Sequence, residues 1–85
     1  MIQSKFPLTV KINSPEKVIW EGVAESISSI NTQGPFDILP FHANFITIIE
    51  NKSIKIKTDK GIKEYSFPHA VVYSHNNQVF IYVNI

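Results

Sequence analysis

Short runs in which apolar and polar residues alternate constrain this chain more than any other feature. Leu8, Val10 and Ile12 alternate with Thr9, Lys11 and Asn13, and Ile54, Ile56 and Thr58 with Lys55 and Lys57. Successive strand side chains point to opposite faces, so each run offers one face to a core and the other to water. Turn-forming residues punctuate the runs: Ser14-Pro15-Glu16-Lys17, Asn31-Thr32-Gln33-Gly34, Asp59-Lys60-Gly61 and Asn76-Asn77. Between them lie Val18 to Glu21 with Gly22 read as a bulge or bend, one long strand from Val23 to Ile30, a strand over Ile62 to Phe67, and a last hairpin of Ala70 to Ser74 with Val79 to Val83. No helical spacing is sustained over ten or more residues, except ambiguously near Pro15 to Ala24. The expected fold is all-β, a small antiparallel β-sandwich or flattened barrel of about 8–10 short strands in one domain, residues 1–85. Leu8, Val10, Ile12, Ile54, Ile56, Val79, Ile81 and Val83 are its expected core, with Trp20 also inside.

Composition then excludes several functions. The 85 residues are 44% apolar, enough for a two-layer domain that hides roughly 60–65% of its unfolded surface. Without cysteine there is neither a disulfide framework nor a zinc-thiolate site. A net charge of +1 argues against duplex nucleic acid, and the eight basic residues are all lysine, leaving no planar fork for carboxylate or phosphate. Apolar runs such as Phe45 to Ile49 are too short to span a bilayer. The start, MIQSKFPLTVKI, has no leader-type apolar region, so a soluble intracellular protein is expected.

Residues 34–47, GPFDILPFHANFIT, break the alternation. They read as a Gly-Pro bend, an apolar Ile38-Leu39, a Phe41 flanked by Pro40 and His42, and a further apolar run. Pro35, Phe36, Phe41 and Phe45 are too many apolar side chains for one solvated bend, and some should seek a partner. His42 can be a half-buried ring bonded to a backbone carbonyl or a partner contact. His42, His69 and His75 lie 27 and 6 residues apart, a spacing that matches no metal-ligand motif, so no metal and no cofactor is expected. The seven acids are scattered and the serines have no nucleophile elbow, so the chain is not expected to be an enzyme. Lys55, Lys57 and Lys63 with Tyr65 are the candidate basic, aromatic face of a stand-alone binding module for protein or single-stranded nucleic acid, against which stands the plain solvated face of a half-buried sheet.

The order LTVKINSPEKVIWEGVAESI, GPFDILPFHANFIT and a closing NNQVFIYV resembles the N-terminal β-sandwich of the epsilon subunit of F-type ATP synthases, called delta in mitochondria. That family carries G-x-φ-G-I-L-P-G-H-A-P-φ-φ-T, where φ is apolar. Gly34, Phe36, Ile38, Leu39, Pro40, His42, Ala43 and Thr47 fall on it. Asp37 and Phe41 stand where the family has glycines, Asn44 where it has proline, His69-Ala70 where it has a glycine pair, and Pro35 at an often acidic position.

The resemblance implies a non-catalytic central-stalk subunit that couples the gamma stalk to the c-ring in proton- or sodium-driven ATP synthesis. It implies a gamma-facing surface at Phe41, His42, Phe45 and Thr47, and a c-ring-facing loop at Thr32, Gln33, Gly34, Pro35 and Phe36. The location it implies is the cytoplasmic face of an energy-transducing membrane, peripheral through the complex. Ile85 falls where the family's C-terminal helical hairpin begins, so neither that hairpin's inhibition of hydrolysis nor its ATP binding is carried over.

Overall fold

The computed structural model of the chain describes residues 7–84. The expectation about a leader falls largely on residues 1–6, outside the described part. Nine strands are described: β1 (Leu8–Asn13), β2 (Val18–Ala24), β3 (Ser26–Asn31), β4 (Gly34–Ile38), β5 (Phe45–Glu50), β6 (Ser53–Thr58), β7 (Gly61–Ser66), β8 (His69–His75) and β9 (Gln78–Val83). They form a five-stranded sheet, order β2-β1-β9-β8-β5, packed on a four-stranded sheet, order β4-β3-β6-β7. The all-β sandwich is as expected. Every ladder is antiparallel but one, because β1 runs parallel to β9, with Thr9 beside Gln78 and Asn13 beside Tyr82.

Alternation sets what lies between the sheets. All eight residues expected in the core are buried, joined by Ala24, Ile27, Ile38, Ile49, Ala70 and Val72. Burying a Val, Leu or Ile side chain is worth roughly 1.5–3 kcal/mol, so these residues hold the layers together. Ser29 is also buried, and its hydroxyl donates to the Ser53 carbonyl at 2.8 Å, so its polar atom is satisfied.

The turns follow their residues. Ser14 Oγ accepts from the Glu16 and Lys17 amides, closing the first hairpin. Asn76 and Asn77 sit at φ 50° and 62° in the β8–β9 turn, the left-handed conformation asparagine tolerates.

Four expectations need correction. The strand from Val23 to Ile30 is two strands: it breaks at Glu25, where the chain passes from one sheet to the other and the Glu25 amide donates to the Lys57 carbonyl at 2.7 Å. Gly34-Pro35 is not a bend but the start of β4, an edge strand where proline's missing N–H is tolerated. Gly22 is neither bulge nor bend; it pairs with Val10 in an unbroken ladder, and the bulge falls where Asn13 skips to Val18. Glycine is needed at 22 because the Trp20 ring lies over it: an added Cβ would meet Trp20 Cζ2 at 2.7 Å. Trp20, expected inside, is instead half-buried, packed against the margin of the core.

Candidate docking surface

The two outer faces of the sandwich differ in chemistry. On the four-stranded sheet the outward residues are Pro35 and Asp37, Ser26, Ser28 and Ile30, Lys55 and Lys57, and Ile62 and Glu64, as the registers require, with Ile30 and Ile62 as its separated exposed aliphatics. Their charges are locally matched: Lys55 stands opposite Glu64, Lys57 reaches Glu25 at 4.0 Å, and Ser28 Oγ donates to Asp37. Lys63 and Tyr65 pair with Ile56 and Ile54 and so share the opposite face from Lys55 and Lys57. The basic, aromatic constellation weighed for single-stranded nucleic acid therefore does not assemble, because period-2 parity separates its members.

The outer face of the five-stranded sheet is apolar over its β5, β8 and β9 half. Ile46 and Ile48 of β5 are 66% and 59% exposed, and beside them lie Val71 and Tyr73 of β8, then Phe80 and Tyr82 of β9. The His75, Tyr73, Phe80 and Tyr82 rings form a row with successive centroids 6.1, 6.4 and 6.4 Å apart. Tyr73 and Phe80 are direct cross-strand partners, the pairing that stabilises a sheet surface. A contiguous apolar face on a sheet whose other side is already the core is the signature of a surface that another protein covers.

The bend that carries Phe41 lies beside the β8–β9 turn. The His42 amide donates to the Leu39 carbonyl at 3.0 Å, closing a tight turn over Pro40 and Phe41. Phe41 sits at φ 65°, a conformation in which a bulky side chain is uncommon, and it is 71% exposed. Its amide donates to Asn77 Oδ1 at 2.6 Å, while the Asn77 carbonyl accepts from the Thr9 amide at 2.9 Å. One asparagine thus ties the bend to the last hairpin and to β1.

The structure separates the residues singled out from sequence. Phe41 is exposed and His42 half-buried, with its Nδ1–H donating to the Ala43 carbonyl at 2.7 Å and its ring edge-on to Phe45 at 5.4 Å. Phe45 and Thr47 lie on the inner side of β5: Phe45 packs on the core and on Phe36 at 5.3 Å, and Thr47 Oγ1 accepts from Asn31 Nδ2 at 3.1 Å. Of the loop residues, Thr32 and Gln33 form the exposed β3–β4 turn, Gly34 opens β4 at φ 119°, Pro35 points outward and Phe36 inward. Sequence reasoning passed over Ile46, Ile48, Tyr73 and Tyr82. The available signal was that β5 is apolar at nearly every position, so both its faces need cover.

Three comparisons bear on the family and the fold of the chain. A family model described as the ATP synthase Delta/Epsilon chain, β-sandwich domain, matches residues 7–85. An ATP synthase epsilon chain of Clostridium novyi is 40% identical over 58 residues, 68% of this chain and 44% of that one. Another from a Cyanothece species is 30% identical over 77 residues, 91% of this chain and 56% of that one. The chain thus spans about half the length of these curated relatives. A solved structure of the central stalk and c-ring of the Tetrahymena thermophila mitochondrial ATP synthase contains a chain with TM-score 0.78 at 16% identity, covering 95% of this chain and 66% of that one. A chain in the Euglena gracilis mitochondrial ATP synthase gives TM-score 0.82 at 11% identity, covering 91% of this chain and 50% of that one. At such identities the structural likeness shows the fold.

Proposed function

The chain belongs to the ATP synthase delta/epsilon β-sandwich family, and from that premise we propose that it is a non-catalytic module of the rotor stalk that couples gamma to the c-ring. The observation that carries this reading is the contrast between the faces. The four-stranded sheet presents locally matched charges to water with only scattered Ile30, Pro35 and Ile62 among them, while the five-stranded sheet presents the contiguous set Ile46, Ile48, Val71, Tyr73, Phe80 and Tyr82. Gamma covers that apolar face, with Phe41 extending it at the end nearest the β8–β9 turn. The exposed Thr32-Gln33 turn, with Pro35 beside it, is the contact offered to the c-ring loops. Among the described residues no helix is long and apolar enough to cross a membrane, and the module is peripheral through the complex.

Capture of the gamma subunit of the same synthase by the tagged chain tests this. Central apolar contacts at interfaces cost about 2 kcal/mol or more when lost, roughly a thirtyfold fall in affinity. Ile48→Asp should therefore abolish capture, because it buries an unpaired charge as well. Lys55→Ala and Lys57→Ala should leave it unchanged. A parallel titration with single-stranded DNA decides against the nucleic-acid alternative, which requires the lysine substitutions to weaken binding and flatten its salt dependence. Capture insensitive to Ile48→Asp would sink the proposed face.

A further inference from the structure

We infer that the free edge of β5 takes up an extended segment of the gamma subunit as an added strand, an inference that rests on the docking reading above. Four strand edges are open in the described sandwich, and three are guarded. β4 carries Pro35 and Asp37, β7 carries Lys63 and Glu64, and β2 carries Glu21 and a bulge. Charge, proline and bulges are the devices that keep a sheet edge from recruiting another strand. β5, Phe-Ile-Thr-Ile-Ile-Glu, has none of them before its last residue.

The surroundings of that edge have the shape an added strand needs. A groove of about 580 Å³ lies over the outer face of β5 and reaches this edge beside Thr32, lined also by Ile46, Thr47, Ile48, Glu50 and Val71. A smaller one of about 120 Å³ continues it toward Ile30 and Lys52. One wall is the apolar sheet face and the other the β3–β4 hairpin. Ile46 and Ile48 belong to both groove and face, so a partner that covers the face also strips water from the edge. Among the described residues β5 pairs with β8 alone, leaving alternate N–H and C=O groups along its other side. Backbone groups dewatered without partners are costly, and an extended segment is the occupant that satisfies them all at once. That segment is uncharged where it passes Ile46 and Ile48 and places apolar side chains at alternate positions over them.

Amide hydrogen exchange of the isotope-labelled chain, alone and bound to gamma, tests the inference. The β5 amides that do not bond β8 should slow by about tenfold or more on binding, while those already bonded to β8 change little. If gamma binds, and Ile48→Asp abolishes binding, yet the free-edge amides exchange as before, the added strand is wrong and the docking face stands. If gamma does not bind at all, the docking reading fails first. Protection of the same amides in the chain alone, growing with concentration, would assign the edge to a second copy of this chain and overturn the inference.

Discussion

Gly22→Ala is a sharp test of the packing, because two effects of known sign oppose each other. Gly22 is not in the left-handed region, so on backbone grounds alanine should stabilise β2 by about 0.5–1 kcal/mol. Against this, the new Cβ would lie 2.7 Å from Trp20 Cζ2 and 2.9 Å from Cη2, inside any tolerable contact. The indole must lift off the margin of the core. A tryptophan buries about 150–250 Å², and surrendering some 80–100 Å² at about 25 cal/mol per Å² costs about 2–2.5 kcal/mol. The net expectation is a loss of about 1–2 kcal/mol, a fall in Tm of roughly 4–16 °C for a domain of this size. Thermal melting by circular dichroism reads the loss. Emission from Trp20, the chain's one tryptophan, should shift to the red as the ring meets water. The decisive arm is the double variant: with Trp20→Ala already present, Gly22→Ala should become neutral or stabilising. If it destabilises equally with and without the indole, the steric reasoning is wrong.

Ile81→Ala, in the central strand of the five-stranded sheet and wholly buried, should cost about 2–5 kcal/mol, measured by urea unfolding. At position 41, glycine should be more stable than alanine by about 1 kcal/mol, because alanine keeps a side chain at φ 65° and glycine does not; differential scanning calorimetry giving the reverse order would remove the backbone explanation.

Legibility in the sequence tracked how cleanly each strand divides into a wet and a dry side. β1, β6 and β9 alternate, and every core residue expected from them is buried. β5 does not alternate. Its inner residues Phe45 and Thr47 and outer residues Ile46 and Ile48 cannot be ranked by hydropathy, and the less apolar Thr47 is the one turned inward, held by Asn31. Parity there is set by the neighbours, which a single strand's sequence does not contain. Gly22 was misread for a similar reason: its constraint is a ring two residues away on the same face, not a local φ. The break in alternation at residues 34–47 located the Phe41 bend, but the apolar row on β8 and β9 appears only once Tyr73 and Phe80 are brought opposite one another.

The parallel pairing of β1 with β9 bears on how such a chain is made. Thr9 must wait for Gln78, about 70 residues later, which a ribosome takes roughly 3–14 seconds to add. Until then β1 has β2 for a neighbour on one side and nothing on the other, and Val10 and Ile12 lack their flanking core partners Val79 and Ile81. The central ladder of the larger sheet therefore closes only after synthesis of the sandwich is nearly complete. Such long-range closure slows folding and lengthens the interval in which apolar strands are open to chaperones or to one another. A nascent chain halted before β9 should stay sensitive to protease along its whole length, however well its early hairpins form.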